Sequence, residues 1–156
     1  MSPRIDLARS ADAGRMAEMS RHLIEAGLSP SWPPERILRH MRHADSLVVV
    51  VRERLQLQAF AIMQFGETTA HLNLLAVDAG ERRRGLGRAL LSWLEDSARV
   101  AGTFLIQLEL RASNQAAREF YRALGYHETG RVSGYYQQLE DAIQMAHDLR
   151  VAASVP

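Results

Sequence analysis

Three consecutive strand-like segments place the strongest constraint on how this chain can fold. They read SLVVVVRE (46–53), LQLQAFAIMQF (55–65) and AHLNLLAV (70–77), and short polar breaks separate them. β-Branched residues and alternation of apolar with polar side chains are typical of strands, and such short breaks join antiparallel neighbours. The sequence therefore predicts a three-stranded antiparallel meander in the middle of the chain.

Helical and strand patterns flank the meander on both sides. Before it, RIDLAR (4–9) predicts a strand, and the segments 11–26 and 33–43 predict helices with apolar faces formed by Met16, Met19, Leu23 and Ile24 and by Ile37, Leu38 and Met41. After it, the patterns predict a helix over 85–101, the strand FLIQLEL (104–110), a helix over 114–124, and strands over 130–136 and 142–149. We expect one α/β (α+β) domain over 1–156.

Composition excludes several classes of protein. The chain of 156 residues contains no cysteine, which removes disulfides, thiolate metal sites and cysteine nucleophiles. A formal net charge of +1 does not favour nucleic acid as a partner. No apolar run reaches the roughly 18–20 residues of a membrane span, and MSPRIDLARS lacks the apolar centre of a signal peptide. We therefore expect a soluble cytoplasmic protein.

The segment RRRGLGRALL (82–91) is the candidate for binding an anion. It joins the last strand of the meander to an apolar-striped helix, and a helix N-terminus offers free N–H groups and a positive dipole to phosphate oxygens. Gly85 and Gly87 would let an anion approach the backbone, and neighbouring arginines would add charge-assisted bonds. A pyrophosphate fits this chemistry. The alternative is a solvated basic helix start.

Two motifs in order resemble the GNAT superfamily of acetyl-coenzyme A (acetyl-CoA) dependent N-acetyltransferases. They are Arg82-x-x-Gly85-x-Gly87 after LLAV, and NQAAREFYRALGY (114–126). Within the superfamily, LELRASN (108–114) and YYQQLEDAIQMA (135–146) are most similar to the ribosomal-protein and protein N-terminal acetyltransferases. The resemblance implies a mixed, mostly antiparallel sheet of about six to seven strands flanked by about four helices, with a splay between two central strands for the pantetheine arm.

The resemblance also implies which residues bind acetyl-CoA. The cofactor contacts fall on Leu75, Ala76 and Val77, on Arg82, Arg83, Arg84, Gly85, Leu86, Gly87 and Arg88, and on Asn114 and Tyr121. The Val77 N–H would polarise the thioester carbonyl. Tyr121 would protonate the departing thiolate, although from its pattern alone it is an ordinary core aromatic. Asn114 is also a favourable helix cap.

Two residues compete for the role of general base, which must remove a proton from the ammonium acceptor. Glu109 matches the glutamate of the ribosomal-protein acetyltransferases, and strand alternation places it opposite Ile106, Leu108 and Leu110. His71 occupies a position that other branches use, and it shares a strand face with Asn73. We rank Glu109 first and His71 second.

Substrate and partners are less constrained. The expected reaction is direct attack by a primary amine in a ternary complex, with a protein or peptide N-terminal amine as the acceptor. The alternatives are a small amine (a polyamine, an arylalkylamine or an aminoglycoside) and a non-catalytic acyl-CoA-binding regulator. The first two helices and the loop around Trp32 would shape the acceptor site, and strand edges near the carboxyl terminus could pair two chains as a homodimer. No metal is implied, since His40 and His43 with Asp45 have the spacing of a solvated helix face.

Overall fold

A seven-stranded sheet covered by two helices on each face forms the framework of the chain, which the computed structural model describes over residues 3–81 and 84–150. The strands are β1 (Ile5–Leu7), β2 (Ser46–Glu53), β3 (Gln56–Phe65), β4 (Thr69–Val77), β5 (Leu105–Arg111), β6 (His127–Tyr136) and β7 (Glu140–Asp148). The helices are α1 (Ala13–Leu23), α2 (Pro34–Arg42), α3 (Leu86–Ala101) and α4 (Gln115–Ala123).

The sheet has the order β1-β2-β3-β4-β5-β7-β6. Every pair of neighbours is antiparallel except β4 and β5, which run parallel. The predicted meander is confirmed as β2-β3-β4, and the expected mixed sheet flanked by four helices is confirmed as well. β6 is an edge strand, and the pairing of two chains near this edge stays a prediction.

The continuous apolar run in β2 follows from burial of both sheet faces. Val48 and Val50 pack on the side of α1 and α2, whereas Val49 and Val51 pack on the side of α3 and α4. All four side chains are buried. A strand in the middle of a three-layer domain has no face that water solvates, so alternation of polar with apolar residues disappears.

The first helix is shorter than the predicted 11–26, because its last residues turn inward. α1 ends at Leu23, and the N–H groups of Ile24 and Glu25 both donate to Ser20 O at 2.9 Å. The buried Glu25 carboxylate then accepts hydrogen bonds from Ser31 N at 2.6 Å and from Ser20 Oγ at 3.2 Å. These bonds satisfy a buried carboxylate, and they fix the loop between α1 and α2.

A membrane-spanning helix is not found within 3–81 and 84–150, where no helix combines the required length with sufficient apolar character.

Gly125, which follows α4, provides a test of how closely the chain after this helix packs against His147 of β7. Its φ is +99°, and a Cβ there would lie 2.9 Å from His147 Nε2, whereas Gly102 has φ +79° and open space around it. We expect Gly102→Ala to lower the free energy of unfolding by roughly 1–2 kcal/mol, the cost of a left-handed backbone for alanine. Gly125→Ala should cost about 1–3 kcal/mol more because it also forces the His147 ring to move. Urea unfolding of both variants measures this, and equal losses would contradict the role of His147.

Candidate active site

A cleft opens where β4 and β5 separate. The two strands pair only over Thr69–His71 and Leu105–Gln107. Beyond that short ladder lies a cavity of about 630 Å³, lined by 72–77 of β4 and 108–111 of β5. The first turn of α3 and one side of α4 complete its lining from one face of the sheet, and Leu23 and Ile24 border it from the other. The cleft therefore passes between the strands.

The edge of β4 directs backbone polar groups into this cleft. Asp78 N–H donates to Gln58 O of β3 at 2.8 Å. Because successive residues of a strand point their N–H groups to opposite edges, Val77 and Leu75 direct theirs away from β3 and toward the gap. Ala76 faces β3. Of the three β4 residues expected to contact the cofactor, two have N–H groups oriented to do so through the backbone.

The loop before α3 presents an open helix start. Gly85 is the N-cap, with φ 76° and ψ 16°, and no side chain of the described residues caps the helix there. Among the described residues, nothing lies within 4 Å of a Cβ built at Gly85. The N–H groups of the first helical turn have no partners within an α-helix. Arg82 and Arg83, which were expected to contribute to this site, lie outside the described residues.

Gly87 has a packing role in addition to the one predicted. The residue is buried, and a Cβ there would lie 3.2 Å from Phe120 Cζ and 3.5 Å from Val77 Cγ2. The missing side chain therefore admits Phe120 of α4 close to α3. Packing between the two helices is therefore one reason for this glycine, and because Gly87 also lines the cleft, its role in binding an anion stays a prediction.

Arg84 is engaged by two carboxylates. Its guanidinium contacts Glu81, three residues earlier, and lies 3.0 Å from Glu53 Oε2 at the end of β2. Arg88 is exposed and borders the cleft. Of these two arginines, only Arg88 lines the cleft.

α4 contributes Asn114 and Tyr121. Asn114 Oδ1 accepts the N–H of Ala117 at 3.0 Å, so its role as a helix cap is confirmed, and it also borders the cleft. Tyr121 is 8% exposed and packs edge-on against the rings of Phe120 and Tyr126 while its residue lines the cleft. Burial raises the pKa of Tyr121 well above its usual range, with a smaller contribution from Tyr136. Its phenol therefore retains its proton at neutral pH.

The two residues that competed as candidate base are in direct contact. His71 Nε2 lies 2.6 Å from Glu109 Oε1 at the point where β4 and β5 part. Glu109 lies on the predicted strand face, with Ile106, Leu108 and Leu110 buried on the other. The Glu109 side chain is 14% exposed and lines the cleft, whereas that of His71 is 41% exposed and is not part of the lining.

Hydrogen bonding favours a charged form for both partners. His71 Nδ1 contacts Asn73 Oδ1, so both ring nitrogens face oxygen acceptors, as in an imidazolium. The hydrogen bond to Glu109 raises the pKa of His71, partly offset by burial, and Asn73 raises it further. The same bond lowers the pKa of Glu109 against the opposing effect of burial.

Tyr135 completes the environment of Glu109. Its hydroxyl donates to Glu109 Oε1 at 3.3 Å, the same oxygen that His71 contacts. Within the described residues, Glu109 Oε2 makes no hydrogen bond, which leaves one carboxylate oxygen for a ligand in the cleft. Sequence reasoning assigned no role to Tyr135, because YY in an edge strand predicts only that the two rings point to opposite sides.

Arg111 joins β5 to the loop after α1, and sequence reasoning missed it as well. Its Nη1 donates to Ala26 O at 2.6 Å and Ile24 O at 3.2 Å, and its Nε donates to Glu140 Oε1 at 2.7 Å. Trp32 is 8% exposed in the core beneath α1 and α2, so its ring supports this loop from below and does not line the cleft. No local pattern marks Arg111, since its partners are distant in sequence.

The histidines of α2 have other partners than a metal. His40 Nδ1 lies 2.9 Å from Ser46 Oγ, and His43 Nδ1 accepts the N–H of Asp45 at 3.1 Å. In the part of the chain that the structure describes, no group of three His, Asp or Glu side chains is arranged to hold a metal ion.

The coupling of His71 to Glu109 can be tested by titration. We expect Glu109→Gln to lower the pKa of His71 relative to the wild type, because it removes the charged acceptor and leaves the opposing effect of burial. A raised histidine pKa stabilises the fold below pH 6.5, and a lowered glutamate pKa does so above about pH 4.5. Glu109→Gln should therefore cost more unfolding free energy at pH 5–6 than at pH 9. Histidine NMR titration and urea unfolding measure both, with Glu128→Gln on β6 as the control that leaves His71 unchanged.

Comparisons with known proteins place this geometry in a family. The model of the acetyltransferase (GNAT) family matches residues 16–126. The [ribosomal protein bS18]-alanine N-acetyltransferase of Salmonella typhimurium is 45% identical over 94 residues, which cover 58% of this chain and 64% of that protein. N-alpha-acetyltransferase RimI of Mycobacterium tuberculosis is 34% identical over 143 residues, covering 88% of this chain and 87% of that protein.

A solved structure agrees with the sequence matches. The crystal structure of the ribosomal-protein-S18-alanine N-acetyltransferase from Escherichia coli superposes with a TM-score of 0.81 at 31% identity, covering 98% of this chain and 97% of that one. The alignment with the Salmonella enzyme spans less than two thirds of its length. The family model covers most of the chain. The chain belongs to the acetyltransferase (GNAT) family.

Proposed function

We propose that this chain transfers an acetyl group from acetyl-CoA to the N-terminal α-amine of a protein or peptide. The observation that carries the proposal is the Glu109 carboxylate, held by His71 at the closed end of the cleft that Tyr121 also lines. A carboxylate with one free oxygen and a protonated phenol are the base and acid that amide formation from a thioester needs. With no cysteine in the chain, we infer direct attack of the amine in a ternary complex.

Acetyl-CoA, which supplies the activated acetyl thioester, fits the cleft between β4 and β5. Leu75 and Val77 offer N–H groups along the cleft edge, and the Val77 N–H would polarise the carbonyl. Its pyrophosphate would lie at the open helix start of Gly85, Leu86, Gly87 and Arg88. Asn114 borders the same cleft and would bind the cofactor with the amide nitrogen that its capping role leaves free.

Glu109 is the proposed base and His71 its positioning residue. Glu109 lines the cleft and, within the described residues, its Oε2 makes no hydrogen bond, whereas His71 binds Oε1 and is not part of the lining. The two ring nitrogens of His71 face Glu109 Oε1 and Asn73 Oδ1, so in this arrangement the imidazole orients the carboxylate. Tyr121 is the proposed acid for the thiolate, since its buried phenol keeps its proton at neutral pH and its residue lines the cleft.

The chemistry of the site favours an α-amine as the acceptor. An α-amino group has a pKa of about 7.7–8.0, against about 10.4 for lysine. The low pKa of Glu109 makes it a weak base, which can assist an amine that is already partly neutral near pH 8. The names of the relatives in Salmonella and Mycobacterium, alanine N-acetyltransferase and N-alpha-acetyltransferase, support the same acceptor class.

Release of CoA thiol tests the proposed acceptor. We expect turnover with peptides that have free amino termini, and little with amino-blocked lysine peptides, polyamines, arylalkylamines or aminoglycosides. A thiol reagent follows the reaction with each acceptor. Turnover confined to small amines would contradict the acceptor class. A melting-point rise with acetyl-CoA but no acceptor-dependent thiol release would indicate a non-catalytic binder.

Substitution of the two candidate bases separates their roles. Glu109→Gln should lower kcat by about 100- to 1000-fold, because general-base catalysis is lost, while the KM for acetyl-CoA stays unchanged. His71→Gln should lower kcat by roughly tenfold and keep the wild-type pH profile, since glutamine can still donate to Glu109 Oε1. Steady-state rates between pH 6 and pH 9 measure this, with Glu128→Gln as the control. If the fall of kcat at low pH disappeared in His71→Gln but not in Glu109→Gln, His71 would be the base.

A further inference from the structure

Two segments border the cleft on the side where the acceptor is expected, next to the loop between α1 and α2, and they are bonded to each other. We call this the acceptor side. The loop between α1 and α2 follows Leu23 and Ile24, which line the cleft, and the turn between β6 and β7 follows Tyr136, which also lines it. Gln137 of that turn joins the two, since Ser29 N–H donates to its Oε1 at 2.9 Å and its Nε2 donates to Ser29 O at 2.7 Å. One side-chain amide thus pairs with both backbone groups of one residue.

The turn that presents Gln137 has an unfavourable backbone. Leu139 N–H donates to Tyr136 O at 2.9 Å, and the two central residues, Gln137 and Gln138, have φ of 57° and 61°. Positive φ at both central positions is the feature of type I′ turns, which favour Asn and Gly. Glutamine has no such preference, so a sequence selected for the turn alone would differ here. Backbone strain of this kind persists when the surrounding structure enforces it, and it clusters at functional sites.

The neighbouring contacts show what the bond to Ser29 restrains. Arg111 holds the start of the same loop through Ile24 O and Ala26 O, and Glu25 holds its end through Ser31. Ser29 lies between these anchors and is exposed, so Gln137 is its fixed point against the β6–β7 turn. Tyr135, two residues before Gln137, donates to Glu109. The bond therefore connects the acceptor-side loop to the strand that also orients the proposed base.

We propose that Gln137 is a positioning residue for the acceptor, whose double hydrogen bond to Ser29 holds the loop between α1 and α2 against the β6–β7 turn and so fixes one wall of the acceptor site. This inference rests on the proposed function. The cost of this bond is the left-handed conformation at Gln137, where the shorter asparagine would suit the backbone better but would reach less far toward Ser29.

Two variants of adjacent residues separate the bond from the strain. Gln137→Asn suits positive φ but shortens the side chain, so it should raise the acceptor KM by about 3- to 10-fold through loss of two hydrogen bonds, with the KM for acetyl-CoA unchanged. Gln138→Gly is the matched control. It relieves strain in the same turn and keeps the bond, so it should raise the Tm by roughly 2–4 °C and leave the acceptor KM unchanged.

Hydrogen exchange provides a readout that does not need turnover. We expect the amides of residues 24–31 to exchange faster in Gln137→Asn than in the wild type and in Gln138→Gly. Equal exchange in all three proteins would overturn the inference whatever their activity. Faster exchange with an unchanged acceptor KM would overturn the role in acceptor positioning. If the wild-type protein acetylates no amine but Gln137→Asn still exchanges faster, the proposed function is overturned. The bond to Ser29 would then be a purely structural restraint.

Discussion

The short parallel ladder between β4 and β5 is the constraint on which the rest of the site depends. Three residues of each strand pair, and then the strands part. A sheet that is interrupted in its middle exposes backbone N–H and C=O groups where a continuous sheet would satisfy them. Helices on both faces keep the parted strands in place, so the fold maintains a polar edge inside an apolar core. A ligand with amides and an extended shape can satisfy such an edge.

The position of His71 follows from the same geometry. It is the last paired residue of β4, and Glu109 lies two residues beyond its partner Gln107 on β5. At that separation the strands are still close enough for the two side chains to meet at 2.6 Å. One residue later on either strand, the side chain would belong to the opposite face. The ion pair thus marks the point of divergence, and its carboxylate lies at the closed end of the cleft.

Periodicity predicted the elements because it reports burial along a single segment. Strand and helix order, the meander and the capping role of Asn114 all follow from such local patterns. The relation between His71 and Glu109 does not, because it depends on which strands are neighbours, and the sequence presents the two residues as competitors. The packing role of Gly87 was missed for the same cause, since Phe120 approaches it from another helix. Tyr135, Arg111 and Gln137 have partners 26 to 108 residues away, and no local pattern reports such distances.

The cleft passes through the sheet rather than lying on one side of it. Residues of α3 and α4 border it from one face, and the end of α1 borders it from the other. The two faces have separate hydrophobic clusters, one beneath α1 and α2 and the other beneath α3 and α4. Under the proposed function, the half of the cleft beneath α3 and α4 would receive acetyl-CoA and the half beside α1 would receive the acceptor, with only the strand pair at the centre common to both.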